Sequence, residues 1–177
     1  FGMHVKLLDE NGEDVPQGEV GEIYVRGPIL LAEYYNNPEA TAASRRGEWF
    51  TLGDMGRFDE EGYLYIVDRK KDLVIRGGEN ISCTEVEACI YRHPAVAECS
   101  VFGVKDERMG EEVGVAVFLK DGQALDQTDL QKHCLDHMSK HKVPRYVWFM
   151  DEPLPRNASG KFLRRELRET LSASVAG

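Results

Sequence analysis

The chain has 177 residues, which is enough for one substantial hydrophobic core or for two small units joined by a hinge. Hydrophobic residues make up 42% of it and no apolar run approaches the roughly 20 residues of a transmembrane helix, so we expect a soluble globular protein without a membrane span. A net charge of -9 disfavours a nucleic-acid partner, because binding to a duplex requires an excess of Lys and Arg that neutralises phosphates.

The cysteines and the N-terminal residues indicate a cytoplasmic setting. No pair of cysteines has the C-x-x-C spacing of a metal or redox site, and the first residues do not resemble a secretory signal. We therefore expect reduced thiols at all four positions, which are Cys83, Cys89, Cys99 and Cys134. The chain opens at Phe1 with sequence typical of the middle of a domain, so we also expect it to be part of a longer protein.

The first 70 residues show the alternation that is typical of β-strands. Apolar and polar residues alternate at 3–8, at 22–26 and, after a turn rich in Asp, Glu and Gly, at 62–67. The charged segment 68–72 follows the third predicted strand and has the composition of a domain junction. We therefore predict a β-rich unit that ends near Lys71.

The rest of the chain mixes helix and strand signals. Gly77 and Gly78 predict a flexible turn, and the sequence Thr-Glu-Val-Glu at 84–87 has the pattern of a capping box that begins a helix ending before Pro94. Apolar runs and helical spacings predict strands at 96–104, 112–119 and 147–150, and helices at 126–138 and 162–171. The fold class predicted for the whole chain is α+β.

The loop at 153–161 is the first candidate for chemistry. It places Lys161 directly after a small turn that contains Gly160, where the ammonium group can reach an anion as a mobile point charge. The loop is not a P-loop, because Pro155 stands where that motif requires a glycine. On the loop alone, an ordinary solvated lysine is the simpler interpretation.

Several segments in a fixed order give that loop a context. They are Gly-Glu-Val-Gly-Glu-Ile at 18–23, Tyr-Tyr-Asn-Asn-Pro at 34–38, Trp-Phe-Thr-Leu-Gly-Asp at 49–54, Tyr-Ile-Val-Asp-Arg-Lys-Lys-Asp at 65–72, Gly-Gly-Glu-Asn-Ile at 77–81 and Pro-x-x-x-x-Gly-Lys at 155–161. With them the chain resembles the adenylate-forming superfamily of acyl-CoA synthetases, luciferases and peptide-synthetase adenylation domains. The glycine segment with Arg76 is most like that of medium- or long-chain fatty acyl-CoA synthetases.

The resemblance implies roles for four residues in binding and activating ATP. Asp54 and Arg69 would hold the ribose, a carboxylate being a natural acceptor for two vicinal hydroxyls and a guanidinium a rigid fork of donors. Ile66 would line the nucleotide site. Lys161 would bridge the carboxylate substrate and the α-phosphate, which stabilises the negative charge of the adenylation transition state.

The resemblance also implies an acid:CoA ligase with two half-reactions. An acid and Mg-ATP give an acyl-adenylate and pyrophosphate, and the thiol of CoA then displaces AMP. Residues 1–70 would be the end of the large nucleotide-binding domain and residues 71–177 a mobile lid that rotates about Lys71. Rotation would present Gly77, Gly78 and Glu79 to the pantetheine. The family's phosphate loop and acyl pocket precede this region, so we expect the chain alone to be inactive.

Two positions depart from the family pattern. Leu52 replaces the usual threonine before Gly53 and Asp54, which removes a hydroxyl beside the ribose site. Cys83 stands where many relatives have proline, and we interpret it as a structural residue and not as a reactive thiol.

Three alternatives remain at this point. A helix that extended through Lys140 would place His133, His137 and His141 on one face as metal ligands, although solvated histidines and no metal site are the expectation. The thiol acceptor could be the phosphopantetheine of a carrier protein instead of CoA. The chain could also be a lid-like interaction module without catalysis. Against this argues the joint presence of four residues, Asp54, Arg69, Lys71 and Lys161, which a non-catalytic lid would not need.

Overall fold

A computed structural model describes residues 2–175 and divides the chain between Lys71 and Asp72 into two compact units. Each unit has its own five-stranded sheet, and helices accompany both, so the α+β class is confirmed. None of the helices within residues 2–175 combines the length and the apolar character that crossing a lipid bilayer requires.

The first unit is an antiparallel sheet with one short helix. Its elements are β1 (His4–Leu8), β2 (Gly21–Arg26), α1 (Pro38–Ala43), β3 (Arg45–Arg46), β4 (Trp49–Phe58) and β5 (Leu64–Arg69). The strand order is β1-β2-β4-β3, and β5 also pairs with β4, through residues 54–58 of that strand. The long strand β4 is therefore the centre of this sheet.

The sequence patterns located β1, β2 and β5 but missed α1, the two-residue strand β3 and β4 in the first unit. Helix α1 carries the signals of a helix start, because Pro38 is its first residue and the Asn37 side chain accepts a hydrogen bond from the Ala40 N–H at 3.0 Å. Strand β4 lacks regular alternation because Leu52, Gly53 and Asp54 interrupt its pairing with β2. The third predicted strand also lies two residues later than expected.

The second unit is a mixed sheet between helices. Its elements are β6 (Leu73–Arg76), β7 (Glu79–Ser82), α2 (Cys83–Ile90), β8 (Val96–Asp106), β9 (Gly110–Leu119), α3 (Gln127–Leu135), β10 (Tyr146–Met150) and α4 (Arg164–Ser172). Strand β9 is central, with β8 antiparallel on one side and β10 parallel on the other. The hairpin of β6 and β7 joins the sheet where Arg76 pairs with Gly110.

Both faces of this sheet are covered, which explains the apolar runs of β8 and β9. Residues of β9 such as Val115 and Val117 belong to a cluster that includes residues of α2 and α3, whereas Ala116 belongs to a second cluster with Leu154 and with Leu167 of α4. Alternate residues of a strand point to opposite faces, so a strand buried on both faces is apolar throughout.

The helix bounds differ from the predictions by one turn or less. Helix α2 begins at Cys83 because the Ser82 side chain, and not Thr84, accepts the capping hydrogen bond from the Glu85 N–H at 3.2 Å. Helix α3 begins at Gln127, one residue after the predicted start, and ends at Leu135, three residues before the predicted end. Helix α4 begins at Arg164 instead of residue 162.

The core of the second unit is tested by two isoleucines on paired strands. Ile81 is completely buried on β7, whereas Ile75 on β6 is 46% exposed. Ile81→Ala leaves a cavity and is expected to lower the free energy of unfolding by about 2–5 kcal/mol. Ile75→Ala is the matched control and is expected to cost less than about 1 kcal/mol. Urea denaturation followed by circular dichroism measures both, and equal losses would contradict this placement of the core.

The cysteines are tested by thiol labelling. All four are thiols with buried side chains. Burial raises the pKa of the Cys134 thiol to about 12, and it also raises the pKa of Cys89 and of Cys99. Because the thiolate is the nucleophile, we expect iodoacetamide at pH 8 to label the folded chain far more slowly than the urea-denatured chain. Peptide mapping that found Cys83 rapidly labelled in the folded chain would refute its structural role.

Candidate functional site

Asp54 and Arg69, the two predicted ribose ligands, lie side by side in the first unit. They are register partners on β4 and β5, and Arg69 Nε lies 3.2 Å from Asp54 Oδ1. The Asp54 side chain is 25% exposed and that of Arg69 is 54% exposed, so a ligand can reach both. The pair leaves a second carboxylate oxygen and further guanidinium N–H groups available for hydrogen bonds.

A bulge in β4 presents Asp54. Glu22 pairs with Met55 and Tyr24 with Thr51, so three residues of β4 lie opposite the single residue Ile23 of β2. Those three residues are Leu52, Gly53 and Asp54. The φ of Gly53 is 75°, which favours glycine, and its N–H donates to Thr51 Oγ1 at 2.9 Å. Bulges of this kind re-aim side chains and are frequent beside active sites.

A second bulge, in β5, brings Ile66 to the same face as Arg69. Gly56 pairs with Ile66 and Met55 with Asp68, so Val67 is the extra residue. In a regular strand, residues three apart point to opposite faces. The extra residue Val67 shifts this alternation by one, so Ile66 and Arg69 point to the same face of the sheet. The exposed Ile66 therefore shares the face of the Asp54 and Arg69 pair.

A polar network that was not predicted from the sequence lies behind this site. Glu22 is 7% exposed and accepts hydrogen bonds from Thr51 Oγ1 and from Lys70 Nζ, each at 2.9 Å. The signal was present, because Glu22 is an acidic residue inside an apolar strand pattern, where an unpaired charge would be costly. The network ties Lys70 to the sheet of the first unit.

The predicted hinge residue lies between two anchored neighbours. Lys70 is held by Glu22 in the first unit, and Asp72 Oδ2 lies 3.1 Å from Arg164 Nη1 in the second. Lys71 between them is exposed, and its side chain makes no hydrogen bond or ion pair with the residues that the structure describes. A change in backbone dihedrals at Lys71 would therefore break none of these contacts.

The predicted glycine turn is the tip of the β6–β7 hairpin. Gly77 and Gly78 have φ of 59° and 88°, and a two-residue hairpin turn with both φ positive favours glycine. The Gly77 N–H donates to Met109 O at 2.8 Å, which fixes the turn against the β8–β9 connection. Glu79 follows as the first residue of β7 and is exposed beside the turn.

The loop that carries Lys161 is ordered by one asparagine. Asn157 Oδ1 accepts hydrogen bonds from Ser159 N at 3.0 Å, from Ser159 Oγ at 2.9 Å and from Lys161 N at 3.0 Å. Lys161 lies in the loop, three residues before α4, because that helix begins at Arg164 and not at the predicted residue 162. Its exposed ammonium group forms no ion pair with residues 2–175.

The histidines do not form a common helix face. Helix α3 ends at Leu135, and His141 lies in a separate 3-10 turn, Lys140–Lys142. His133 Nε2 is 3.1 Å from Cys89 O, and His137 Nδ1 is 2.8 Å from His133 O. Within residues 2–175 no group of three His, Cys, Asp or Glu side chains is arranged to hold a metal ion, and the continuous helix through Lys140 that the metal alternative required does not form.

The sequence of the second unit matches a known domain. Residues 85–161 match the family model described as AMP-binding enzyme C-terminal domain. The 2-succinylbenzoate–CoA ligase of Geobacillus kaustophilus is 45% identical over 162 residues, which are 92% of this chain and 33% of that protein. The oxalate–CoA ligase of Arabidopsis thaliana is 42% identical over 164 residues, 93% of this chain and 32% of that protein.

Solved structures agree with the sequence matches. ATP-bound MatB from Rhodopseudomonas palustris superimposes with a TM-score of 0.84 at 37% identity, over 97% of this chain and 34% of that one. The o-succinylbenzoate CoA synthetase from Bacillus subtilis, in complex with its acyl-adenylate intermediate, gives a TM-score of 0.83 at 38% identity, over 95% of this chain and 34% of that one.

The chain spans about one third of the length of these relatives. The predicted superfamily is thus confirmed, while a specific likeness to fatty acyl-CoA synthetases finds no support among the relatives named above, which carry the names of other ligases. The chain is therefore similar to the C-terminal region of adenylate-forming, AMP-binding enzymes.

Proposed function

We propose that the chain is the C-terminal third of an ATP-dependent acid:CoA ligase. The observation that carries the proposal is the Asp54 and Arg69 pair, which two bulges present on one accessible face together with Ile66. The ligase names of relatives at 42% and 45% identity support it. Residues 1–70 would end the nucleotide-binding domain, and residues 71–177 would be the lid.

In the first half-reaction the two units would supply different groups. Asp54 would accept hydrogen bonds from the ribose hydroxyls, Arg69 would donate beside it, and Ile66 would line the nucleotide site. Lys161 would place its ammonium between the attacking carboxylate and the α-phosphate of Mg-ATP, where negative charge develops. Its lack of an ion pair within residues 2–175 supports this role, because an ammonium already paired would have to be released first.

In the second half-reaction the lid would rotate about Lys71. The contacts of Lys70 and Asp72 support a hinge at that residue, because each neighbour is held within its own unit. Rotation would withdraw Lys161 and bring the turn of Gly77 and Gly78, with Glu79, to the pantetheine thiol of CoA. Both glycines lack a side chain at the hairpin tip, which allows a close approach of the backbone.

The acid is best sought among dicarboxylic acids. The fatty-acid preference rested on residues 76–81 alone, whereas two relatives are named for 2-succinylbenzoate and for oxalate, which are both dicarboxylic acids.

A carrier-protein thiol as the acceptor and a lid-like interaction module without catalysis remain the alternatives. An assay that offers CoA or a phosphopantetheine-bearing carrier protein as the acceptor decides which thiol the enzyme uses. Any adenylation activity excludes the interaction module.

The role of Lys161 is tested in the full-length enzyme. Lys161→Ala is expected to lower acid-dependent exchange of pyrophosphate into ATP about 100-fold or more, because it removes a charge that acts in the transition state. Thioester formation from preformed acyl-adenylate should be nearly unchanged. Lys132→Ala, at an exposed residue of α3, is the control and should leave both steps unchanged. Equal loss of both half-reactions in Lys161→Ala would refute the role.

The hinge is tested by fixing one dihedral angle. Lys71→Pro locks φ near -65° and is expected to slow the thioester step much more than adenylation, because only the second step requires the rotated lid. Lys71→Ala removes the same side chain but leaves the backbone free, so it should behave like the unmodified enzyme. Stopped-flow assays of each half-reaction provide the comparison. If both steps survived Lys71→Pro unchanged, the hinge would lie at another residue.

A further inference from the structure

Glu112 of β9 binds the arginine that precedes the glycine turn, and Glu98 of β8 binds the loop that carries Lys161. We infer that Glu112 and Glu98 are positioning residues, Glu112 for thioester formation and Glu98 for adenylation. This inference rests on the function proposed above, and it adds two residues to which sequence analysis gave no role.

Glu112 holds the strand that leads into the glycine turn. Its carboxylate accepts from Arg76 Nε at 2.7 Å and from Arg76 Nη2 at 3.1 Å, and its side chain is only 4% exposed. Arg145 Nη1 also lies 3.3 Å from Glu112 Oε1. Arg76 directly precedes Gly77, so this buried fork fixes the base of the turn.

Two neighbouring contacts hold the same turn. The Ile75 N–H donates to Glu111 Oε2 at 3.0 Å, and the Gly77 N–H donates to Met109 O at 2.8 Å. The backbone around the turn is thus bonded at alternate residues to the start of β9 and the connection before it. Glu112 adds a contact through two hydrogen bonds to the Arg76 side chain of β6, which sets the direction of the strand as well as its distance.

Glu98 plays the corresponding part for the lysine loop. It accepts from Leu154 N and from Arg156 Nη2, each at 2.8 Å. Arg156 Nη1 in turn donates to Gly160 O at 2.8 Å, one residue before Lys161. The carboxylate of Glu98 therefore reaches the backbone next to Lys161 through a single guanidinium, and Arg156 also lies over the Phe162 ring at 4.1 Å.

The two glutamates lie toward opposite ends of one ladder. Glu98 pairs with Phe118 and Glu112 pairs with Val104, so they are six residues apart along β8, which corresponds to about 20 Å. Because the ladder is continuous over this length, the glycine turn and the loop that carries Lys161 are bonded to it at two separate places. Each glutamate can therefore serve its own loop without affecting the other.

The inference predicts a crossed pattern in the full-length enzyme. Glu98→Gln should lower pyrophosphate exchange about tenfold and leave thioester formation from preformed acyl-adenylate unchanged, because a neutral amide holds Arg156 less firmly. Glu112→Gln should raise the KM for CoA and lower the rate of the thioester step about tenfold, with exchange unchanged.

A second pair of variants covers the case in which a buried amide at residue 112 prevents folding. Arg76→Lys and Arg156→Lys keep the positive charge but lose the planar fork, and each should reproduce the defect of its glutamate partner. Circular dichroism and thermal unfolding establish that each variant is folded before its kinetics are read.

The outcomes separate this inference from the function on which it rests. If the unmodified full-length enzyme lacked both half-reactions, the proposed function would fail, and the inference with it. If that enzyme were active and folded variants lost both half-reactions equally, or neither, the two glutamates would be merely structural and the inference would be overturned. Selective loss of one step at each position supports it.

Discussion

The ladder between β8 and β9 is the constraint on which the second unit depends. Register pairs run from Val96 with Leu119 to Asp106 with Gly110, and valines of both strands are completely buried. One face carries α2 and α3 and the other carries α4, so the ladder is packed on both sides. The two candidate loops are bonded to opposite ends of this ladder, which supports the proposal that the second unit moves as one body.

The contacts at the boundary of the units support the proposed hinge. The ion pair of Lys70 belongs to the first unit and that of Asp72 to the second, and Lys71 lies between them. Arg164 strengthens the second contact, since it binds both Asp72 and Glu87 of α2. It also begins α4, three residues after Lys161, so the start of the second unit and the lysine loop lie on connected elements.

Much of this arrangement could be predicted from local sequence. Apolar runs gave β8 and β9, and the motif order identified Asp54, Arg69 and Lys161 as candidates. The register of the strands could not be predicted from local patterns. The extra residues at Leu52–Asp54 and at Val67 decide which side chains share a face of the sheet. These bulges arise only when the strand pairs with its neighbour, so the sequence of one strand does not reveal them. Glu98 and Glu112 were missed for a related reason, since their partners are 33 or more residues away in the chain.

The central claim is that this region belongs to an enzyme that adenylates a carboxylic acid. The most direct test is exchange of labelled pyrophosphate into ATP by the full-length enzyme, with a panel that includes 2-succinylbenzoate, oxalate, malonate and fatty acids of graded length. The account predicts exchange that depends on the acid and occurs with a subset of the panel, dicarboxylic acids first. Folded enzyme that bound ATP but exchanged pyrophosphate with none of the acids would contradict it.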